Sequence, residues 1–562
     1  MAVAPFYLQD SSGQLWLNAA TNDGRPTATP IPGSGPTSVL ISDISSGQVW
    51  TITQLGPGDS RGAWGALHAE PTGGPASPIQ IPIIAPNGTV FAIQIDSSVP
   101  AGTSPIQTAI YSPLASLCPF SLGDADVALA TRLYDPTGQF WTQAERYLYL
   151  YEALRTWNAL TGYWRGDFTF TTTSALQWYD MTSTAQMPNT LRPLTLTGTD
   201  LATMIEYHLL EPPVGAGTWT GSTQFNLQML EDAITRRRNE TLGTTGCRVS
   251  RLVVQATSQR IHLPSTTIDL RRVAYIPADG SGISVLWQDD AWAQQAFSFN
   301  SAIQPAGAPS VFTVSTEPFL TFTVDTPPLP GQFELLVVDA GFLSTANDTL
   351  ASSLQIPDDW SWVIKWGALA DLFGREGNAK DDLRREYCES RYRAGLKLLE
   401  RAPALLAARI GNLPLEIDSV KAADEFNTDW EAQPAGSPTS LLVAGLNLIA
   451  TAPTPDAGPY SLTLTVIENA PIPPTADTCL LLDRSLFDII VDYAQHLAML
   501  KCGGEEFLAT QAHLTRFMQA AALYVAKYYE MGEYAHTLLE LSQREEMSNP
   551  RYKSGMGIEA EQ

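Results

Sequence analysis

Two short acidic runs, GDAD at 123–126 and QDD at 288–290, come nearest to carboxylates spaced for catalysis. A glycosidase needs such a pair, one carboxyl as acid and one as nucleophile or base. With 58 acidic side chains in 562 residues, short acidic runs arise by chance, and a solvated surface is the expected role. The six histidines, at 68, 208, 262, 496, 513 and 536, form no His-Glu-x-x-His pattern and no pair at metal-ligand spacing. Surface or hydrogen-bonded core positions are expected for them. Neither a G-x-S-x-G elbow nor a G-x-x-x-x-G-K-[ST] phosphate loop occurs, and GSGPTS and DGSGIS are flexible turns. The sequence therefore offers no catalytic, metal or cofactor-binding residues, and neither enzyme activity nor a cofactor is expected.

Arg236, Arg237 and Arg238 form the sharpest basic cluster. Three consecutive residues cannot share one helix face. Asp232, four residues earlier, can pair with Arg236, and the cluster is a candidate subunit or DNA-channel contact. The chain as a whole is acidic, with 33 basic residues and a formal charge of -25. That balance favours solubility and opposes general binding to nucleic-acid phosphates. The five cysteines, at 118, 247, 388, 479 and 502, are scattered without a C-x-x-C pair, which suggests neither zinc nor a disulfide framework and points to a reducing cytoplasm. MAVAPFYLQD lacks the basic and apolar regions of a signal peptide, and no apolar run approaches the length of a membrane span.

An aromatic run, PDDWSWVIKWGALADLF at 357–373, must be positioned by packing. Trp362, Trp366, Leu369 and Phe373 recur at helical spacing, and Trp360, Val363 and Ile364 widen the face, so these residues form a candidate packing core. Asp358 and Asp359 suit the positive end of a helix, while Lys365 and Asp371 argue against burial in lipid. A charged helix follows at 380–402. Asp381 with Arg385 and Glu389 with Arg393 are expected to pair on its outside, and Leu383, Tyr387, Ala394 and Leu398 to form its inner stripe. The two read as a helical hairpin.

Around this hairpin the composition divides the chain. Residues 1–113, rich in Gly, Pro, Ser and Thr, read as one or two β modules. SSGQLW at 11–16 and SSGQVW at 45–50 look like turns feeding strands, and TGQFW at 137–141 is similar. The pattern is similar to the Asp-box of sialidase propellers, but the spacing from Asp10 to Gly13 is wrong by one residue. Residues 114–247 hold two helices, one at 142–162 with a Thr142/Glu145 capping box and a face of Tyr147, Leu150, Leu154 and Trp157, the other at 225–246 with Asn226 as cap and Leu227, Leu230 and Ile234 inward. Residues 248–340 read as a β-rich insertion and 341–415 as the helical hairpin. Residues 416–480 read as a β-hairpin segment in which LLVAGLNLIA and YSLTLTVIE flank PTPDAGP, and 481–541 hold the closing helices. The polar tail, 542–562, cannot fold alone, but Arg544, Arg551 and Tyr552 are candidate assembly contacts.

The helix LQMLEDAITRRRNETLGTTGC, the stretch HLPSTTIDLRRVAYI and the segment from Ile356 to Leu399 resemble the head-to-tail adaptor, or neck connector, proteins of tailed bacteriophages. The resemblance implies an α+β chain in which a helical bundle carries a β insertion, with Leu263 to Val273 bringing the chain back to the bundle. It implies a structural virion protein forming a ring, typically of twelve copies, beneath the portal, with portal and tail or neck proteins as partners and genomic DNA passing through. The β regions at 1–113 and 436–470 exceed a minimal adaptor. The rival expectation is a tail-associated receptor-binding or glycan-processing protein that uses the N-terminal β modules.

Overall fold

The computed structural model describes strands between 6 and 95 and then residues 120–548, apart from 184–192, 211–223, 281, 290–304, 316–319, 340–349, 428–429 and 529–531. Its topology is α+β. Residues 1–124 with 473–484 form one compact unit, and 125–472 with 485–562 form another. In the first unit, β1 (Phe6–Gln9), β2 (Leu15–Ala20) and β3 (Pro26–Pro30) make an antiparallel sheet. A second sheet joins β4 (Ser38–Ser42), β5 (Val49–Gln54) and β6 (Leu67–Pro71), and β7 (Ile79–Ile84) pairs with β8 (Val90–Ile95). Strands β2 and β5 begin directly after the two SSGQ sequences, which themselves lie outside the described residues. The segment 473–484 belongs here because Ser121 pairs with Cys479, and the amides of Leu122 and Leu480 donate to Thr478 and Phe120 at 3.0 Å each. Cys479 is disulfide-bonded, contrary to the expectation from scattered cysteines, whereas Cys247, Cys388 and Cys502 are free.

The second unit is built on helices whose ends follow their caps. Helix α1 (Leu122–Arg132) reaches it from the first unit, and α2 (Gln143–Thr161) lies at its centre, with Tyr149, Leu150, Leu154 and Trp157 all buried. Thr142 caps α2 by accepting the Glu145 amide, and Gly162 ends it with φ 56°. Only half of the expected capping box forms, because the Glu145 carboxylate instead takes Tyr149 Oη–H at 2.7 Å and Lys501 Nζ at 3.1 Å. TGQFW feeds this helix and not a strand: Asp135 gathers the amides of Gln139, Phe140 and Trp141 into a closed loop. Helix α3 (Gly198–His208) carries a full capping box from Thr197 and Asp200. In α4 (Leu227–Thr245), capped by Asn226, Leu230 and Ile234 are buried, but Leu227 is 43% exposed because it lies in the first turn, beyond the packed surface.

A 3-10 turn, Asp358–Trp360, leads into α5 (Ser361–Phe373), and α6 (Asp382–Glu400) returns beside it. After α7 (Val420–Phe426), the closing helices are α8 (Phe487–Met499), α9 (Gly504–Ala509), α10 (Gln511–Tyr528) and α11 (Gly532–Ser548). The stretch from 504 to 528 is thus divided into α9 and α10. At Thr510 the side-chain hydroxyl donates to Phe507 O at 2.7 Å, a local bond that competes with the helical ladder. The last helix also continues past Leu541 to Ser548. Arg544 falls in it; its side chain, and all of Arg551 and Tyr552, lie outside the described residues.

Between α4 and α5 the chain builds two four-stranded sheets. One is ordered β11 (Ser250–Gln255), β18 (Gly331–Asp339), β13 (Thr267–Pro277), β14 (Ser284–Val285); the other β12 (Arg260–His262), β17 (Thr321–Val324), β16 (Val311–Ser315), β15 (Trp287–Gln288). Alternation decides their faces: Phe333, Leu335 and Val337 of β18 enter a core with Phe312, Phe322 and Tyr275, whereas Leu336 points to a second core with Trp178 and Trp430. Phe322 meets Phe333 edge to face at 5.3 Å. The Leu263–Val273 stretch does not return the chain to the helices. Its β-branched and apolar residues make β13, paired along β18 inside the insertion.

Two further sheets are ordered β20 (Leu413–Pro414), β19 (Leu405–Ile410), β24 (Ser461–Ile467), β9 (Arg165–Thr171), and β10 (Trp178–Asp180), β23 (Leu448–Ala452), β22 (Ser440–Ala444), β21 (Glu416–Ser419). The hairpin in 436–470 therefore lies elsewhere than expected. LLVAGLNLIA is not one strand but β22 and β23, turning at Gly445 with φ 62°, where added side-chain atoms would also meet Gly246 O. YSLTLTVIE supplies β24, which pairs with β19 and β9.

Candidate functional site

The helix α5 is the element on which other helices converge, and its own residues explain why. Trp362, Trp366, Leu369 and Phe373 are all buried, and so are Trp360, Val363, Ile364 and Ala368. A helix buried along almost its whole length must be enclosed by neighbours. Trp366 meets Tyr387 of α6 edge-on at 5.5 Å and lies 6.0 Å from the His208 ring of α3. Gly395 of α6 lets the two helices close: an added Cβ would lie 2.7 Å from Val363.

Asp358 and Asp359 do more than complement the helix end. Asp358 accepts the amides of Thr195 and Leu196 at 2.9 and 3.0 Å, and the Thr195 hydroxyl as well. Asp359 accepts Asn158 Nδ2 at 2.6 Å and the Ala470 amide at 3.2 Å. Two adjacent carboxylates thereby hold three distant segments at the start of α5. Burial pushes the Asp359 carboxyl up to about 7, against the lowering effect of the Asn158 and Ala470 bonds. An acid whose folded pKa exceeds its ordinary value of 3.8 contributes stability at low pH, and that contribution is lost as pH rises through the window up to about 7. Asp359→Asn is expected to flatten this fall in thermal denaturation series across the same window; equal slopes for variant and wild type would contradict the assignment.

Lys365 is completely enclosed. Its ammonium donates to both oxygens of Glu152 in α2 at 2.6 Å and to His208 Nε2 at 3.2 Å, and lies 4.2 Å from the Trp366 ring. A lysine can only donate, so His208 accepts through Nε2 and is neutral. Burial pushes His208 well below its ordinary value, with the positive charge of Lys365 acting in the same direction. Burial also lowers Lys365, opposed by Glu152. On α8, His496 accepts or donates within a chain of Tyr387 Oη at 2.6 Å and Thr510 Oγ1 at 2.9 Å. These groups are mutually committed and enclosed, an arrangement suited to rigid positioning.

The arginine cluster divides by face. Arg236 is 64% exposed and pairs with Asp371 at 2.5 Å, not with Asp232, which accepts Gln228 instead. Asp371 wins because α5 packs alongside α4. Arg237 binds Asp371, Glu389 and Glu240 at 2.6, 3.0 and 3.1 Å and lies over the Tyr392 ring. Arg238 is buried. On α6, Glu389 pairs with Arg393 at 2.9 Å as its spacing indicates. Asp381 instead caps the helix through the Arg384 amide, and Arg385 turns to Asp382. The inner face of α6 is Cys388, Arg391, Tyr392, Gly395 and Leu398; Leu383 is half exposed because the stripe is rotated by about one position.

Among the described residues, the carboxylates of GDAD are committed to local contacts. Asp124 closes the start of α1 with Ser121, Asp126 is buried against Arg146 at 2.7 Å, and Asp290 lies outside the described residues. Among the described residues, no group of three or more His, Cys, Asp or Glu could hold a metal ion, and no helix is long and apolar enough to cross a membrane. The sequence did not single out Glu152 or His208. Glu152 carries a visible signal, a lone charge within the apolar helix YLYLYEALRTW, which a buried partner must explain.

Residues 196–412 match the model of a family described as SU10 adaptor protein. The match begins beside Asp358's contact at Leu196, takes in α3 to α6 with both sheets between them, and ends after β19. It contains the residues that carry the likeness to phage head-to-tail adaptors, and it leaves out β1 to β8 and the tail. No curated protein matches the chain.

Proposed function

We propose, on the premise that residues 196–412 make this chain a phage structural adaptor of the SU10 adaptor kind, that it forms a ring joining the portal of the head to the tail. The family match over the helices and their β insertion carries this proposal. Its helical bundle core would be the rigid frame of each copy, located in the virion neck, with portal, tail or neck proteins and further copies of itself as partners. A ring is built from heterologous contacts, one patch of each copy meeting a different patch of the next.

The acid excess suits a DNA exit channel, because a wall that repels phosphate lets DNA pass without holding it. Within this reading Arg236 is the member of its cluster most available to a neighbour or to DNA, since Arg237 and Arg238 are drawn into the fold. The tail after Ser548, with Arg551 and Tyr552, is assigned to docking on the portal, and Arg544 to the helix that presents it. The role is structural and uses no cofactor.

Native mass measurement of the purified protein mixed with the portal protein of the same phage tests both parts. The full chain is expected to add a closed ring of copies to the portal, and a chain ending at Ser548 to form fewer such complexes. A full chain that stays monomeric beside the portal would overturn the proposal; equal assembly by the shortened chain would remove only the tail's part in it.

A further inference from the structure

The loop between α1 and α2 presents a tyrosine from a backbone position that ordinarily belongs to glycine. At the end of α1 the Tyr134 amide donates to Thr131 O at 3.2 Å, and the Asp135 amide donates to Ala130 O at 3.0 Å. This is the Schellman closure, and its left-handed residue, Tyr134, has φ 56°. An L side chain there crowds the backbone, a strain that glycine would avoid. Yet Tyr134 is 94% exposed, so little contact within the fold offsets the strain. The loop around it is fixed. Asp135 accepts the amides of Gln139, Phe140 and Trp141, and Arg146 donates to Trp141 O at 2.7 Å. Val127, two turns earlier on the same face of α1, and Phe140 are exposed as well. The exposed side chains from Val127 to Phe140 carry no charge, since Arg132 pairs with Asp488 and Asp135 is buried.

A cleft of about 430 Å³ opens where the ends of α4 and α6 meet β21 and β22. Leu399, Pro403, Leu405, Ile417 and Val443 form apolar walls, and the lining holds two acids, Glu400 and Asp418, and no basic side chain. Carboxylates only accept, so the cleft suits an apolar group that ends in a neutral donor, as a tyrosine does. The loop and the cleft lie at opposite ends of α6. At its start Arg384 Nη2 donates to Lys501 O at 3.0 Å, and Lys501 Nζ donates to Phe140 O at 2.9 Å. At its end Leu399 and Glu400 line the cleft, roughly 22 Å along the helix axis from Arg384. On the ring reading above, we propose that Tyr134 of each copy inserts into this cleft on the next copy. A peg at one end and a socket at the other make the contact heterologous, as a ring requires. Each copy carries a formal charge of -25, and an uncharged aromatic face approaches an acidic cleft without like-charge repulsion.

Native mass measurement beside the portal protein and photo-crosslinking, both on the full chain, test the contact. Tyr134→Gly relieves the backbone and removes only the peg. Its thermal midpoint should equal or exceed that of wild type, while closed rings fall several-fold. Ala402→Trp, which fills the cleft, should reduce rings similarly. With Tyr134→p-benzoylphenylalanine in a mixture of isotopically light and heavy copies, crosslinks should join position 134 of one copy to 399–405 or 417–419 of another. Rings from Tyr134→Gly at the wild-type level, or crosslinks confined to the portal protein or to other faces, would overturn this contact and leave the ring standing. A wild type that stays monomeric overturns the ring and the contact together. Should Ala402→Trp fail to fold, Tyr134→Gly and the crosslinks still decide.

Discussion

Trp366→Ala is expected to lower the stability of the protein by about 3–5 kcal/mol, the range for removing a large aromatic from a packed core. The indole has no exposed surface; it meets Tyr387 of α6 and the His208 ring of α3, and Lys365 of its own helix lies over it. Alanine would leave a cavity at the point where those helices converge, and their backbones, fixed by Gly395 and the Asp358 and Asp359 bonds, have little freedom to collapse into it. Chemical denaturation of the two proteins measures the difference. A loss below about 1 kcal/mol would mean that α5 is not the packing centre described here.

Lys365→Met should be comparably damaging, by about 3–5 kcal/mol, for an electrostatic reason. Methionine fits the space, but Glu152 would be left in an enclosed site with its ammonium partner gone. The double variant Glu152→Leu/Lys365→Met removes both charges and should recover most of the loss, since an apolar pair avoids desolvating two ions. Equal destabilisation of the single and double variants would show that shape, and not the unpaired carboxylate, sets the penalty. Both proteins can be compared by denaturant midpoint under identical conditions.

These two residues also mark what the sequence discloses. The spacing of Trp362, Trp366, Leu369 and Phe373 indicates a buried helix face, and the caps at Thr142, Asn226 and Gly162 mark helix ends, because both signals act over a few residues. Lys365 by contrast reads only as an argument against lipid, and its place in the core is explained only when α2 brings Glu152 beside it. The same limit applies to β24, whose alternation identifies a strand but not its partners: it pairs with β19 and β9, far apart in the chain. Gly445 shows the opposite case. A glycine within LLVAGLNLIA was visible evidence of a turn, and its positive φ places the hairpin there. Arg272 shows the first limit again: its partners Glu334, Asp424 and Glu431 come from distant parts of the chain, so neither the arginine nor the carboxylates stand out among its charges.

The central claim, a structural joint between head and tail, is tested most directly by electron microscopy of particles made when a nonsense codon stops synthesis of this chain. Heads filled with DNA, lying beside free tails, are the expected result, with joined particles restored when the full chain is supplied. Complete tailed virions that fail only to attach to cells would contradict the claim and favour a receptor-binding role.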